Sequence, residues 1–201
     1  MCLVQFQYNK KSFPISNFIN GIYAQSSRGS NPIKLYLKSN DHDSRPLLLD
    51  INDSKLNSIK NVNFCIAHGR LATINNNSNC DQPLFSSCGN YLISFNGTIF
   101  NYVEIRDELK SLGVTFNSNG DTEVLLSAWR EWGEGMMEKL DGMFSMAIWN
   151  NEEKTLFLAR DRFGKKPLVY SIKNNIIYFS SDVKSLSCIT DGGSIHKESI
   201  K

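Results

Sequence analysis

Hydrophobic and polar residues alternate at the start of the chain, with Cys2, Val4 and Phe6 on one face and the residues between them on the other. A period of two is typical of a β-strand, which we predict over residues 2–7. The apolar side chains at positions 18, 19, 22 and 23 follow a helical spacing instead. They predict a helix over residues 16–25, with Ser16 as its N-cap.

The rest of the chain continues this mixture of periods. Short alternating or apolar runs predict strands over residues 33–37, 62–67, 91–95, 143–149, 155–159, 168–171 and 176–180. The strand over residues 91–95 is expected to end at Asn96-Gly97. Helices are predicted over residues 101–112, ending before Gly113, and from Asp121 to a stop at Gly133, with a helical turn near residues 136–140.

Strands dominate both ends of the chain and helices lie in the middle. Most connections are too short for parallel crossovers, so the strands should form antiparallel sheets with helices packed on them, an α+β fold. Neither a repeat nor a low-complexity tract interrupts the pattern. We therefore predict a single domain over residues 1–201.

Composition excludes several classes of function. Hydrophobic residues make up 41% and charged residues 21%, and the net charge is +2 with the basic residues scattered, so nucleic acid is not an expected partner. No apolar segment approaches the length of a membrane span, and we expect no membrane partner. The five cysteines form no C-x-x-C pair and the three histidines lie far apart, which predicts a cytoplasmic protein with reduced thiols and no metal site.

Cys2 is a candidate nucleophile because it is the second residue of the chain. Its side chain is small enough for Met1 to be removed, which would leave a thiol and an α-amine on one residue. An α-amine has a pKa of about 7.7–8.0 and can act as a general base at neutral pH. An amine that activates the side chain of its own residue is a known arrangement for nucleophiles. The alternative is a small buried hydrophobic residue.

Five further motifs follow Cys2 in order. They are Ala-His-Gly-Arg-Leu at 67–71, Phe-Asn-Gly-Thr-Ile-Phe-Asn at 95–101, Gly-Asp-Thr-Glu-Val at 120–124, Gly-Met-Phe-Ser-Met-Ala-Ile-Trp at 142–149 and Ala-Arg-Asp-Arg-Phe-Gly-Lys-Lys-Pro-Leu at 159–168. Together they resemble the class II glutamine amidotransferases, most closely the amino-terminal domain of glutamine-hydrolysing asparagine synthetases. The resemblance runs from residue 2 to residue 186. It implies the N-terminal-nucleophile hydrolase fold, a four-layer αββα sandwich of two antiparallel sheets.

The resemblance also implies a catalytic group. Cys2 would attack the side-chain amide of glutamine, while the Asn96 carboxamide and the Gly97 N–H would bind the oxyanion that forms. The alternative for Asn96-Gly97 is a tight hairpin turn. A predicted helix rather than a second strand follows, so we favour catalysis.

Three matched residues would bind the substrate. Arg70 lies where the family holds the glutamine carboxylate, Asp121 where it holds the α-ammonium, and Thr98 where asparagine synthetases usually carry a glutamate that helps to hold the ammonium. A surface role for Arg70 and a helix-capping role for Asp121 are the alternatives. Trp129 and Trp132 share a helical stripe and are interpreted as core.

The chain departs from the family pattern at several positions. Leu3-Val4 replaces the usual Gly-Ile after the cysteine, so a side chain could crowd the nucleophile or reshape the strand. Arg28-Gly29-Ser30-Asn31 replaces Arg-Gly-Pro-Asp, and Thr98 replaces the glutamate. These changes suggest glutaminase activity that is weakened, altered or lost.

The resemblance implies hydrolysis of L-glutamine to glutamate and ammonia for an ATP-dependent synthetase, with aspartate, a sugar or another metabolite as acceptor. It places the catalytic core at about residues 2–187 and the start of a linker at 188–201. No cofactor is expected in this domain, since ATP and Mg would belong to the synthetase partner. A catalytically impaired domain that packs on the synthetase and an amidase for another amide remain alternatives, and a homodimer stays open.

Overall fold

The computed structural model describes residues 2–28, 33–39, 46–69, 81–174 and 176–190, which contain ten strands and four helices. The strands are β1 (Leu3–Pro14), β2 (Ile33–Lys38), β3 (Leu47–Asp50), β4 (Asn61–Gly69), β5 (Leu84–Phe85), β6 (Tyr91–Ile99), β7 (Gly142–Asn150), β8 (Thr155–Arg160), β9 (Val169–Lys173) and β10 (Ile176–Ser180). The helices are α1 (Ile15–Ala24), α2 (Tyr102–Ser111), α3 (Asp121–Trp132) and α4 (Val183–Ile189).

The strands form two antiparallel sheets. One has six strands in the order β3-β2-β4-β1-β10-β9, and the other has four in the order β5-β6-β7-β8. The amino-terminal strand β1 is therefore central, with β4 on one side and β10 on the other. Between Tyr8 and Phe13 its register with β4 shifts, which marks a bulge or irregularity.

Three apolar clusters separate four layers. One lies between the six-stranded sheet and α1, and includes Leu3, Phe18 and Ile22. A second fills the space between the two sheets, and a third packs the four-stranded sheet against α2 and α3. The architecture is an αββα sandwich, as predicted.

A buried polar network joins β1 to the helices. The Gln5 side chain donates from Nε2 to the Phe18 carbonyl at 2.6 Å, and its Oε1 accepts from Gln25 Nε2 at 3.0 Å and from Ser185 Oγ at 2.5 Å. Gln5 has no exposed surface, so these bonds replace the water that it loses on folding. A Cβ at Gly21 would lie 2.8 Å from Gln5 Oε1, which explains the glycine at this crossing.

The first helix begins one residue earlier than predicted, at Ile15, with Pro14 as its N-cap. The prediction of Ser16 as the cap is wrong. No side chain caps this end, and the Ile15 N–H instead donates to the Lys60 carbonyl at 3.1 Å. The Lys60 carbonyl, just before β4, thus satisfies one of the amide groups that a capping side chain would otherwise satisfy.

Several elements differ from the sequence prediction in length or existence. Strand β6 does not end at Asn96-Gly97 but continues to Ile99, because β7 pairs with it as far as Gly142. The hairpin-turn alternative for Asn96-Gly97 is therefore wrong. Strands β3 and β5 and helix α4 were not predicted, and all three are short. None of the helices in the described residues has the length and hydropathy needed to cross a membrane.

Candidate active site

Cys2 lies immediately before β1 and is half-buried. The alternation of β1 gives it the face shared by Val4 and Phe6, which pack between the two sheets. Its backbone nitrogen donates to Oδ1 of Asn96 at 3.1 Å. This nitrogen is a peptide nitrogen while Met1 is present, and becomes the α-amine when Met1 is removed.

Asn96 lies on the opposite sheet, in β6, with only 1% of its surface exposed. One end of its carboxamide accepts from Cys2, and the other end, Nδ2, is buried without a hydrogen-bond partner among the described residues. A buried donor without an acceptor is costly, and such groups are rare in folded proteins. Nδ2 can therefore bind an oxygen that arrives beside Cys2.

The direction of the Gly97 N–H follows from the alternation of β6. The N–H groups of Phe95 and Ile99 donate to side chains away from β7, to Gln82 Oε1 at 2.6 Å and to Asp121 Oδ2 at 3.3 Å. Groups two residues apart in a strand point the same way, so the Gly97 N–H lies between them on that edge. β5 pairs only with Ile93 and Leu92, so it does not cover this part of the edge.

Gly97 must also lack a side chain. A Cβ there would lie against the Met143 carbonyl oxygen and 2.7 Å from Cα of Phe144, both in the backbone of β7. Backbone atoms cannot swing aside as a side-chain end can, so a larger residue would push β6 away from β7. The close approach of these strands fixes the position of the Gly97 N–H.

The loop after β8 holds the same part of β7. The Asp161 carboxylate accepts from the N–H groups of Phe144, Phe163, Lys165 and Lys166 at 2.9–3.2 Å. Burial alone would raise the pKa of Asp161, but the four N–H donors outweigh it and lower the pKa below its ordinary value. Phe144 pairs with Gly97, so this loop supports the strand beside the site.

Asp121 is the first residue of α3, and its N-cap is Gly120. The capping alternative for Asp121 is therefore wrong, since Gly120 takes the extended conformation that precedes the helix. The Asp121 carboxylate accepts instead from the Ile99 N–H, two residues beyond Gly97. This places a negative charge next to the edge that carries the Gly97 N–H.

Thr98 and Leu3 show the effect of two departures from the family pattern. Thr98 alternates onto the face of Asn96 and is half-buried, so a hydroxyl stands where a carboxylate is usual. Leu3 is fully buried against α1, on the opposite face of β1 from Cys2. Its side chain therefore does not crowd the nucleophile.

Arg70, residues 29–31 of the altered motif and residues 191–201 of the predicted linker fall outside the described residues. Gly69, the last described residue of β4, pairs with Leu3. Arg28 lies 3.7 Å from the Asp182 carboxylate.

Sequence reasoning missed several residues that support the site. The Gln82 side chain joins Phe95 N–H to the hydroxyl of Thr122, at 2.6 and 3.2 Å, and so ties β6 to the start of α3. His68 and Ser94 meet across the two sheets, with 2.9 Å between Nδ1 and Oγ. Ser94 has no sequence signal beyond polarity within an apolar run, whereas His68 belongs to the motif at residues 67–71, which assigned it no role.

Two other features lie away from this group. A cleft of about 490 Å³ between the β5 region, the α2–α3 connection and α3 contains Glu123, Arg130 and Glu131, but none of the predicted site residues. Within the described residues, no group of three His, Cys, Asp or Glu side chains is placed to hold a metal ion.

Solved structures share the fold. Glutamine phosphoribosylpyrophosphate amidotransferase from B. subtilis, complexed with ADP and GMP, superposes with a TM-score of 0.71 over 94% of this chain and 44% of its own, at 17% identity. An allosteric regulatory enzyme of purine biosynthesis gives a TM-score of 0.74 over 94% of this chain and 43% of its own, at 19% identity. These likenesses confirm the N-terminal-nucleophile hydrolase fold.

Curated relatives cover part of the chain. Asparagine synthetase [glutamine-hydrolyzing] 1 of Bacillus subtilis is 46% identical over 123 residues, which are 61% of this chain and 20% of the relative. Asparagine synthetase [glutamine-hydrolyzing] of Zea mays is 36% identical over 123 residues, again 61% of this chain and 20% of the relative. The matched region thus spans about a fifth of the length of these relatives.

A family model described as glutamine amidotransferase domain matches residues 52–198, a stretch that includes Asn96, Gly97 and Asp121. This match covers well over half of the chain and agrees with the fold and with the motifs. The chain belongs to the glutamine amidotransferase domain family.

Proposed function

We propose that this domain hydrolyses L-glutamine to glutamate and ammonia, with Cys2 as nucleophile. The observation that carries the proposal is the contact of the Cys2 nitrogen with Asn96 Oδ1 at 3.1 Å, with the Nδ2 of the same carboxamide buried and without an acceptor. One side chain thereby holds the future α-amine and offers a donor beside the thiol.

The reaction requires protein from which Met1 has been removed, because only then does Cys2 carry an α-amine. The Cys2 thiol gives its proton to its own α-amine, directly or through a water, and the thiolate attacks the side-chain carbonyl carbon of glutamine. The tetrahedral intermediate collapses, the C–N bond breaks, and the amine returns the proton so that ammonia leaves. Water then attacks the thioester, releasing glutamate and restoring the thiol.

Asn96 Nδ2 and the Gly97 N–H bind the oxyanion of each tetrahedral intermediate. Both donors are fixed before the substrate arrives, since Asn96 is buried and Gly97 is held against β7. Preorganised donors need no rearrangement as negative charge develops, and each typically contributes about 100- to 1000-fold in rate.

Asp121 binds the α-ammonium of glutamine, and Thr98 contributes a neutral hydroxyl beside it. Support comes from the bond between Asp121 and the Ile99 N–H, which sets the carboxylate near the oxyanion donors. Arg70 is proposed for the substrate carboxylate, since its planar guanidinium can pair with both oxygens. With one carboxylate for the ammonium, glutamine should bind more weakly than in a site with two.

The ammonia is proposed to serve an ATP-dependent synthetase domain or subunit, with aspartate, a sugar or another metabolite as acceptor. The names of the relatives as glutamine-hydrolysing asparagine synthetases support this, and so does their fivefold greater length than the matched region. ATP and Mg would act in that partner rather than in this domain.

Purified protein tests the glutaminase proposal. Wild-type protein should lack Met1 by intact mass and release glutamate from glutamine, and Cys2→Ala should abolish this release. Cys88→Ala is the matched control, because Cys88 is an exposed free thiol away from the site, and it should keep the wild-type rate. A correctly processed wild type that releases no glutamate would favour the impaired domain that only packs on a synthetase.

A further inference from the structure

The layer between the two sheets is mostly apolar, yet two polar contacts cross it near the site. Its buried core consists of Val4, Phe6, Phe64, Ile66, Leu92, Ala147, Trp149 and Phe179. One polar contact joins the Cys2 nitrogen to Asn96, and the other joins His68 to Ser94 with 2.9 Å between Nδ1 and Oγ. The first links the start of β1 to β6, and the second links β4 to β6.

The two contacts are neighbours on both sheets. Ser94 and Asn96 occupy the same face of β6, two residues and about 7 Å apart. His68 pairs with Val4 across β4 and β1, and Val4 is two residues from Cys2. The His68–Ser94 contact, between β4 and β6, therefore lies next to the Cys2–Asn96 contact, between the start of β1 and β6.

Both partners are deeply buried, with 1% of His68 and none of Ser94 exposed. Water cannot readily replace either partner at this depth, so the contact holds His68 and Ser94 at a fixed distance and direction. Apolar packing between sheets lacks this directionality, because it depends mainly on the area removed from water. The pair can thus fix β6 along and across the strand direction where packing alone leaves some freedom.

We infer that His68 is a positioning residue that acts through Ser94 to hold Asn96 and Gly97 in place for the reaction of Cys2. This inference rests on the proposed glutaminase function. Removal of the contact lets β6 shift relative to β1, and a misplacement of about 1 Å at a reacting group can cost about 100-fold in rate. Asp121 belongs to α3 and not to β6, so the proposed binding of the α-ammonium depends on this contact less directly than the oxyanion donors do.

Kinetics of four variants test the inference. Ser94→Ala should lower kcat for glutamate release by about 10- to 100-fold and leave KM within about twofold, because the oxyanion donors move and the substrate contacts stay. His68→Asn, which keeps a hydrogen-bonding atom close to the position of Nδ1, should retain most of the wild-type kcat. Adding His68→Leu to Ser94→Ala should cause little further loss, since both changes remove the same contact.

Ile66→Val is the matched control, because Ile66 is fully buried in the same layer and on the same strand as His68. It should lose stability in urea and keep kcat within about twofold of wild type. Equal kcat in Ser94→Ala and Ile66→Val would overturn the inference. A loss of kcat in His68→Asn as large as the loss in the double variant would overturn it too.

Side-chain amide resonances of Asn96 give a readout that does not depend on turnover. They should shift or broaden in Ser94→Ala and stay unchanged in Ile66→Val, and unchanged resonances in both would overturn the inference. The wild-type rate of glutamate release tests the proposed function, whereas these resonances and the ratios of kcat test the positioning role. A wild type without activity would therefore contradict the proposed glutaminase function, and the resonances would still test the positioning role of His68.

Discussion

Single residues contribute different groups to the proposed binding of the glutamine amide. The two ends of the Asn96 carboxamide differ, since Oδ1 accepts from the Cys2 nitrogen and Nδ2 is buried without a hydrogen-bond partner among the described residues. Only a residue without a side chain can bring the backbone at position 97 so near to β7, and the N–H of Gly97 lies on the other edge of β6. Asp121 supplies a carboxylate from the start of α3.

Asn96→Ala tests the oxyanion role. We expect kcat for glutamate release to fall by about 100- to 1000-fold, because a donor to the developing negative charge is lost, while KM changes little. Steady-state kinetics with purified protein measure both. Asn90→Ala, in the turn before β6, should keep the wild-type kcat, and a kcat within threefold of wild type in Asn96→Ala would remove the carboxamide from the mechanism.

Asp121→Asn tests the ammonium site. We expect KM for glutamine to rise by about tenfold or more, since a charge-assisted hydrogen bond is worth about 1.5–3 kcal/mol. Glutaramate keeps the carboxylate and the side-chain amide of glutamine but lacks the ammonium, so wild type and variant should hydrolyse it equally. A variant that loses the same factor on both substrates would show that Asp121 acts elsewhere.

The residue assignments from sequence depended on motifs rather than on local pattern. Alternation gave Cys2 the correct face, and the motifs indicated Asn96, Gly97 and Asp121. The capping alternative for Asp121 failed, because composition cannot show that Gly120 takes the extended position before the helix. His68 and Ser94 are 26 residues apart and touch only because two sheets stack, so the local sequence pattern could not show their contact.

Secondary-structure elements contribute support through their ends and connections. The loop from Asp161 to Lys166 is built around one carboxylate, and Arg160 donates to the carbonyls of Gly164 and Lys166, both at 2.6 Å. Gly164 has a φ of 62°, which favours glycine there. Gly164 and Pro167 mark this turn in the sequence, because both residue types favour turns.

Asp161→Asn tests this loop by its effect on folding. An amide cannot accept four N–H groups as a carboxylate does, so the free energy of unfolding at pH 7 should fall by about 2–3 kcal/mol in urea titrations. Asp107→Asn is the control, because Asp107 forms only an exposed ion pair with Lys110 and should change stability by less than about 0.5 kcal/mol.

The same variant makes a prediction for pH. Because the folded protein lowers the pKa of Asp161, the ionised carboxylate stabilises the fold fully above its ordinary pKa of about 3.9. That contribution is lost as the pH falls through the lower folded pKa. The stability difference between wild type and Asp161→Asn should stay constant from pH 7 to about 5 and shrink below about pH 4, and a difference that grows on acidification would contradict the assignment.

At the scale of the whole molecule, the stacking of two sheets brings Cys2 against Asn96 of β6. Strand β1 lies between β4 and β10, whose residues are distant in sequence, so the contact of Cys2 with β6 requires both sheets. Periodicity predicted antiparallel sheets with helices, but it could not give the strand order, and the resemblance supplied the four-layer arrangement. The short strands β3 and β5 stayed hidden because two to four residues carry too little pattern.

Trapping the covalent intermediate tests the central claim most directly. Wild-type protein mixed with excess glutamine and quenched in acid within milliseconds should carry one glutamyl group, located by peptide mass spectrometry on a peptide that begins with Cys2. Cys2→Ala should carry none. A glutamyl group on another residue, or glutamate release by protein that retains Met1, would contradict the account.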